Sequence, residues 1–301
     1  MGTETVRPRE NGKGAVLIAG PTASGKSALA VAIAEAENGV IVNADSMQVY
    51  RDLRILTARP DEDETACVPH RLYGHVDAGE PYSVGRWLDD VASVLEEAAR
   101  EGRLPILVGG TGLYFKALTE GLTEIPPIPE NVRIYWRDMA AMEPSEALHA
   151  KLVQLDPVMA ERLNPADAQR IARALEVVTA TGKSLAAFHE EASRPLIDPE
   201  NTERIVLSPQ RPELHRRIEQ RFRHMVDAGA LDEVAALTAR NLDPQLPAMK
   251  AIGVRPLAAH LAGTCNLEAA IARSVVETRR YAKRQLTWFR GQMADWVWRD
   301  V

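Results

Sequence analysis

One run of eight residues constrains this chain more than any other: Gly20-Pro-Thr-Ala-Ser-Gly25-Lys26-Ser27, a complete G-x4-G-K-[ST] phosphate loop. It is entered from the apolar segment Ala15–Ala19 and left through the Ala-rich stretch Lys26–Glu37, which reads as buried strand, loop and helix. Glycines permit the tight turns that aim successive backbone N–H groups at one phosphate cluster. The helix starting near Lys26 adds the positive end of its dipole. The phosphate-binding set is therefore Gly20, Pro21, Thr22, Ala23, Ser24, Gly25, Lys26 and Ser27, with Lys26 as a mobile cation and the Ser27 hydroxyl as a ligand for Mg²⁺. The chain is expected to bind something that carries a di- or triphosphate.

The surrounding pattern predicts an α/β fold, a parallel sheet covered by helices on both faces. Further short apolar runs lie at Val40–Val42, Pro105–Gly109 and Arg204–Leu207, with a helix expected over Trp87–Arg100. The proline cluster Ile125-Pro-Pro-Ile-Pro129 then breaks regular structure. Helical patterns follow at Ser145–Leu155, Asp156–Leu163, Asp167–Thr181 and Ser184–Glu191, with no strand signal among them. We read residues 122–199 as an all-helical insertion in a core formed by 15–121 and 200–301, after a flexible N-terminus over 1–14. Beyond Pro212 the chain reads as helical, ending in a long helix from about Leu267 to Arg290.

Composition narrows the function classes. With 46% hydrophobic and 26% charged residues over 301 positions, the chain suits a globular core, not a disordered or coiled-coil chain. No apolar stretch approaches the ~18 residues of a membrane span, and the polar N-terminus lacks the core of a signal peptide. A cytoplasmic, monomeric protein without a membrane partner is expected. Two cysteines 198 positions apart and seven histidines without metal-ligand spacing argue against a zinc site. Charge is uneven: residues 1–203 hold 20 Lys+Arg against 32 Asp+Glu, whereas 204–301 hold 16 against 10. The basic C-terminal third could hold a phosphate-rich partner locally.

The phosphate loop alone does not name a reaction. A P-loop ATPase also uses an acid at the end of a later strand, and Val108-Gly109-Gly110-Thr111 supplies none. The available carboxylate is Asp45, just beyond the second strand and at the sheet edge where ligands bind. From position alone it is equally a helix N-cap.

These residues also resemble a known family. Gly20–Ser27 and Asp45-Ser-Met-Gln-Val-Tyr50 are similar to the tRNA dimethylallyltransferases, also called isopentenyl transferases. So are Pro69–Leu72, Tyr82-Ser83, Gly109–Lys116, Asn164-Pro165, Asp167–Glu176, Gly182-Lys183, Arg217–Arg221, Met225, Gly229, Glu233, Ile252-Gly253 and Lys283-Arg284-Gln285, from Ala15 to about Trp298. Departures stand at Leu56 and Arg59, in a segment the family writes Ile-Gly-Thr-Ala-Lys-Pro, and at Val254, where Gly-Tyr-Arg is frequent. The C-terminal zinc finger of some eukaryotic relatives has no counterpart.

The resemblance implies a P-loop NTPase-like core that moves a dimethylallyl group from dimethylallyl diphosphate to a tRNA. The acceptor is the exocyclic amine of the adenosine 3′ of the anticodon. It implies Asp45 as general base, with Lys26, Arg217, Arg221 and Mg²⁺ acting on the diphosphate. It places Asp45, Ser46, Met47, Gln48, Thr111 and Arg133 against the tRNA. Gln169, Arg170, Ile171, Ala172 and Arg173 meet the anticodon stem-loop, and Lys250, Ala251, Ile252, Gly253, Val254 and Arg255 a further stretch of RNA. The run Arg279, Arg280, Lys283 and Arg284 is equally a phosphate contact or a solvated face, while Trp288, Trp296 and Trp298 read as core. A small-molecule P-loop kinase is the alternative the phosphate loop alone favours, and a non-catalytic nucleotide- or RNA-binding protein is the third.

Overall fold

The computed structural model describes residues 13–190 and 194–301. The expected N-terminal segment thus lies, over 1–12, outside the described residues, as does Glu191 of the helix expected at Ser184–Glu191. Its last two residues are tied down: Gly14 N–H donates to the Asn201 carbonyl at 2.7 Å, and Lys13 pairs with Glu203.

Six strands form one parallel sheet: β1 Ala15–Ala19, β2 Gly39–Asn43, β3 His70–Arg71, β4 Leu104–Gly109, β5 Thr202–Leu207 and β6 Val297–Arg299. Their spatial order is β3-β2-β4-β1-β5-β6. This is the P-loop NTPase-like sheet the sequence predicts, with β1 central and in register with β4 (Val16 beside Ile106) and β5 (Ile18 beside Ile205). Alternating side chains serve opposite faces. Leu17, Val42, Leu107 and Val206 join one core, with Trp87 and Phe115, while Val16, Ile18, Ile106 and Ile205 join another, with Ala30 and Ala34. Burial on both faces is why these strands read as continuous apolar runs.

The helices before the insertion are α1 Lys26–Glu37, α2 Glu62–Cys67, α3 Val84–Arg100 and α4 Gly112–Glu120. The helical unit contains α5 Glu130–Met142, α6 Ser145–Leu155, α7 Pro157–Arg162, α8 Ala168–Thr181 and α9 Leu185–Glu190. After β5 come α10 Arg211–Asp227, α11 Ala230–Ala239, α12 Val254–Leu261 and α13 Leu267–Gln292. Caps account for the one-residue offsets from the predicted starts. Asp156 accepts the Met159 N–H and Asp167 the Arg170 N–H, so both aspartates stand just outside their helices.

The chain divides into two compact units, one of residues 1–120 with 195–301 and one of Gly121–Arg194. The second has its own core, in which Trp136, Leu148, Leu152, Ile171, Leu175 and Phe188 are buried. The chain rejoins the first unit before residue 200, the return point read from the sequence: Leu196 N–H donates to the Leu118 carbonyl at 2.9 Å, and Ile197 is buried beside the sheet. Several elements escape the sequence reading, α2 and α4 among them, and three have a plain reason. Strand β3 has two residues, β6 has three at the sheet edge, and α5 buries only Trp136, so none carries a full period.

Candidate active site

The site is built at the C-terminal ends of β1, β2 and β4. After β1 the chain turns through Ala23 (φ 62°) and Gly25 (φ 87°) before α1 begins at Lys26. These two left-handed residues make the tight turn that a phosphate loop needs between its strand and its helix. Lys26 Nζ donates to the Pro21 carbonyl at 3.2 Å, so the side chain lies back over its own loop. Burial pushes its ammonium down to about 8, with Asp45 opposing that effect and Arg221 adding to it. Ser27 stands exposed in the first turn of α1.

Asp45 follows β2 in a turn, not at a helix start, so the helix-cap reading is corrected to a turn cap. Its Oδ1 accepts the Met47 N–H at 2.9 Å, and its own N–H donates to buried Asn43 Oδ1 at 2.9 Å. Oδ2 accepts no hydrogen bond among the described residues and remains available to a ligand. The turn is held from β4: Ser46 N–H donates to Thr111 Oγ1 at 3.0 Å, and Thr111 N–H to the Ala44 carbonyl at 3.3 Å. A side chain at Gly109 would put its Cβ 2.0 Å from that carbonyl, so β4 must end in glycine for the two strand ends to meet.

Two cavities meet at this edge. One, of about 310 Å³, is walled by Thr22, Asp45, Met47, Leu56, Phe222, Ile252 and Tyr281 among others, an apolar slot with a carboxylate at one wall. The other, of about 490 Å³, follows the loop from Ala23 to Ala28 and carries Arg54, Arg59 and His224. Arg221 lines both. Burial lowers its pKa, and the charge of Asp45 opposes the change.

Arg217, its predicted companion, lines neither cavity. It donates from Nε to Glu213 at 2.7 Å, and together Arg216 and Arg217 hold the Glu213 carboxyl at about 2. The two arginines stand four positions apart on α10, yet of the pair only Arg221 lines the cavities.

Other expected contacts divide by burial. Lys250, Ala251 and Ile252 line the apolar cavity, Arg255 is exposed, and Val254 is packed into the core at 1% exposure. Gly253 (φ 98°) is boxed in, since a Cβ there would lie 2.8 Å from Leu56 Cδ2. Gln48 spends its amide nitrogen on the Thr57 and Ala58 carbonyls, at 2.9 and 3.0 Å, and so supports the 54–59 loop. Arg280, Lys283 and Arg284 are exposed, but Arg279 is paired with Glu219 at 2.9 Å. Trp296 is buried, and Trp288 and Trp298 pack against the same core, as expected.

In the helical unit Gln169 and Arg170 are exposed on α8, and half-buried Arg173 donates to Glu176 at 3.1 Å. Ile171 and Ala172 are buried, at 0% and 6% exposure, which corrects their assignment as RNA contacts: they anchor α8 to its core. Arg133 on α5 is half-buried and pairs with Glu130 at 3.2 Å.

Sequence reasoning assigned no role to Glu233, whose carboxylate gathers three successive N–H groups, from Arg54, Ile55 and Leu56, at 2.7, 2.7 and 2.9 Å. It thereby fixes the loop that walls both cavities. Glu233→Gln replaces one acceptor oxygen by a donor that faces an N–H. We expect a loss of about 1.5–3 kcal/mol in denaturant unfolding, with faster amide exchange at Arg54–Leu56. Unchanged exchange there would discount the clamp.

Comparison with known proteins identifies the site's family. The IPP transferase family profile matches residues 48–292, and the isopentenyl transferase profile matches 13–75. The chain belongs to the IPP transferase family. The tRNA dimethylallyltransferase of Nitrobacter hamburgensis is 57% identical over 284 residues, covering 94% of this chain and 90% of its own. That of Agrobacterium fabrum is 54% identical over 281 residues, covering 93% and 94%. Among solved structures, the full-length tRNA isopentenylpyrophosphate transferase of Bacillus halodurans aligns with a TM-score of 0.67 and 37% identity, over 95% of this chain and 89% of that one. A eukaryotic dimethylallyltransferase acting on tRNA aligns with a TM-score of 0.81 and 29% identity, over 95% and 73%. Among the described residues of this family member, no helix is long and apolar enough to cross a membrane.

Proposed function

We propose that the chain transfers a dimethylallyl group from dimethylallyl diphosphate to the N6 amine of the adenosine 3′-adjacent to a tRNA anticodon, releasing diphosphate. The observation that carries this reading is one juxtaposition. A carboxylate with a free oxygen, Asp45, opens on an apolar slot whose shared wall residue, Arg221, also reaches the phosphate loop. A branched apolar group suits the slot and its diphosphate suits the loop. The relatives bear the transferase name and favour this reading over a small-molecule kinase.

The chemistry follows from these residues. The acceptor amine is a weak nucleophile because its lone pair is delocalised into the purine. The C–O bond to diphosphate breaks as the C–N bond forms, and the amine proton passes to Asp45 Oδ2. Backbone N–H groups of the phosphate loop, Lys26 and Arg221 take up the charge that grows on the leaving group. The adenine must leave its stack to present its amine.

Mg²⁺ fits the residues present. Among the described residues no cluster of three acidic, His or Cys side chains exists to hold a metal by protein ligands alone, whereas the Ser27 hydroxyl is exposed beside the loop. A hard cation bound through one hydroxyl and substrate phosphate oxygens has the ligand set Mg²⁺ commonly takes. Bound there, Mg²⁺ supplies further neutralisation of the diphosphate.

Incubation with Mg²⁺, labelled dimethylallyl diphosphate and unmodified tRNA tests the proposal, with labelled ATP as the competing donor. Label entering tRNA only from the prenyl donor is expected, and phosphoryl transfer from ATP instead would favour the kinase.

For tRNA recognition, Gln169 and Arg173 of α8 supply amide and guanidinium groups suited to exposed base edges. Replacing both by Ala should weaken tRNA binding by about 1–3 kcal/mol per lost contact, with donor affinity unchanged. Titration of tRNA onto the double variant measures this, and wild-type affinity would remove α8 from the interface.

A further inference from the structure

Gln285 lies on α13 with only 6% of its surface exposed, and the reaction described above gives it nothing to do. Its Oε1 accepts the Thr22 backbone N–H at 3.2 Å, and its Nε2 donates to the Gly110 carbonyl at 2.8 Å. Thr22 belongs to the phosphate loop after β1. Gly110 opens the turn after β4, and the next residue, Thr111, holds Ser46 and Ala44 on either side of Asp45. A single amide thus spans the loop that would hold the leaving group and the turn that braces the base. Gly110 makes room for it, because a Cβ there would lie 2.2 Å from Gln285 Nε2.

The residue type matches the task. One partner is a donor and the other an acceptor, and a primary amide offers both functions from one planar group. An apolar side chain of similar size would fill the space but leave a buried carbonyl unpaired. Helix α13 is anchored by buried Ala282 before Gln285 and by buried Phe289 after it, so the amide is carried on a fixed element.

We propose that Gln285 is a positioning residue for prenyl transfer: its amide bridge between Thr22 and Gly110 sets the separation of the phosphate loop from the Asp45 turn. This rests on the prenyl-transfer reading. Reaction rates are sensitive to such spacing, and a displacement of about 1 Å can cost 10²-fold. The bridge bears on the transition state, where both ends act together, more than on either substrate alone.

Gln285→Met keeps the length and helix propensity of the side chain and deletes both hydrogen bonds. Gly110→Ala attacks the same bridge from the other side. Each variant should lower the single-turnover rate about 10- to 100-fold, measured well below its own thermal midpoint, with KM for dimethylallyl diphosphate and for tRNA within about threefold of wild type. The double variant should be no slower than the slower single one, since both remove one interaction. A Gln285→Met rate within twofold of wild type overturns the proposal, and so does a raised KM at unchanged rate. A second readout needs no turnover: in the unliganded protein, amide exchange at Thr22 and Ser46 should quicken in Gln285→Met. Unchanged exchange overturns the bridge whatever the activity. A wild-type protein that transfers no prenyl group would sink the proposed function, and exchange would still decide the bridge.

Discussion

Asp45→Asn should slow single-turnover prenyl transfer by about 10²–10⁴-fold at saturating substrates, the usual cost of deleting a general base. The substitution is close to isosteric. Its carbonyl oxygen can keep the Met47 N–H bond that Oδ1 accepts at 2.9 Å, so the turn should survive. What is lost is the basic oxygen at the cavity wall. Binding of tRNA and donor should change far less than the rate, because the proton moves only in the transition state. A Mg²⁺ ligand at this position would behave differently, and raising Mg²⁺ would then restore part of the rate. A purely structural turn cap would lower the thermal midpoint and leave turnover of the folded protein intact. The decisive measurement is the single-turnover rate across a Mg²⁺ series beside the midpoint. A rate within a few-fold of wild type would send the search for the base elsewhere.

Lys26→Ala should cut kcat/KM for the prenyl donor on the order of 10²–10³-fold, as loss of a donor to developing negative charge does. It should do so without lowering the stability of the unliganded protein. The sign follows from linkage. Lys26 holds its proton less tightly when folded, near 8, than in the unfolded chain, near 10.5, chiefly because it is buried. Below pH 8 both states are protonated, and the folded protein carries the full cost of the buried ammonium. Between about 8 and 10.5 the unfolded chain binds more protons, so this residue's contribution to stability improves as pH rises. At pH 7 its removal relieves a cost, and the thermal midpoint of the variant should not fall. The same ionisation predicts that wild-type kcat/KM for the donor declines as pH passes about 8, where the free enzyme loses its cation. A pH profile identical in wild type and Lys26→Ala would refute that assignment.

Much of the site was legible because chemistry demanded particular residues at fixed spacing. A phosphate-loop pattern sets its glycines, lysine and hydroxyl within eight positions, so Gly20–Ser27 announced the strand–loop–helix unit that β1 and α1 form. Asp45 could be singled out because β2 ends two residues earlier, at the edge where this class of sheet binds ligands. Where function was read along a helix without its faces, burial corrected it. Ile171, Ala172 and Val254 sit in cores, and Arg217 turns to Glu213. A motif in one dimension includes the residues that hold a surface as well as those that form it.

By itself the sequence determined the parallel α/β class, the phosphate loop, the helical insertion and the family, since each is written in local periodicity or in contiguous motifs. Only the tertiary structure decided which arginine of the Arg217–Arg221 pair reaches the cavities, that Asp45 keeps one oxygen free, and that Glu233 and Gln285 hold the site's loops. The reason is separation along the chain. Glu233 binds a loop 177 to 179 residues away, and Gln285 spans partners 175 and 263 residues away. No local pattern encodes an approach of that length; it exists only once the sheet has stacked β1, β2 and β4 edge to edge and α13 has packed beside their ends.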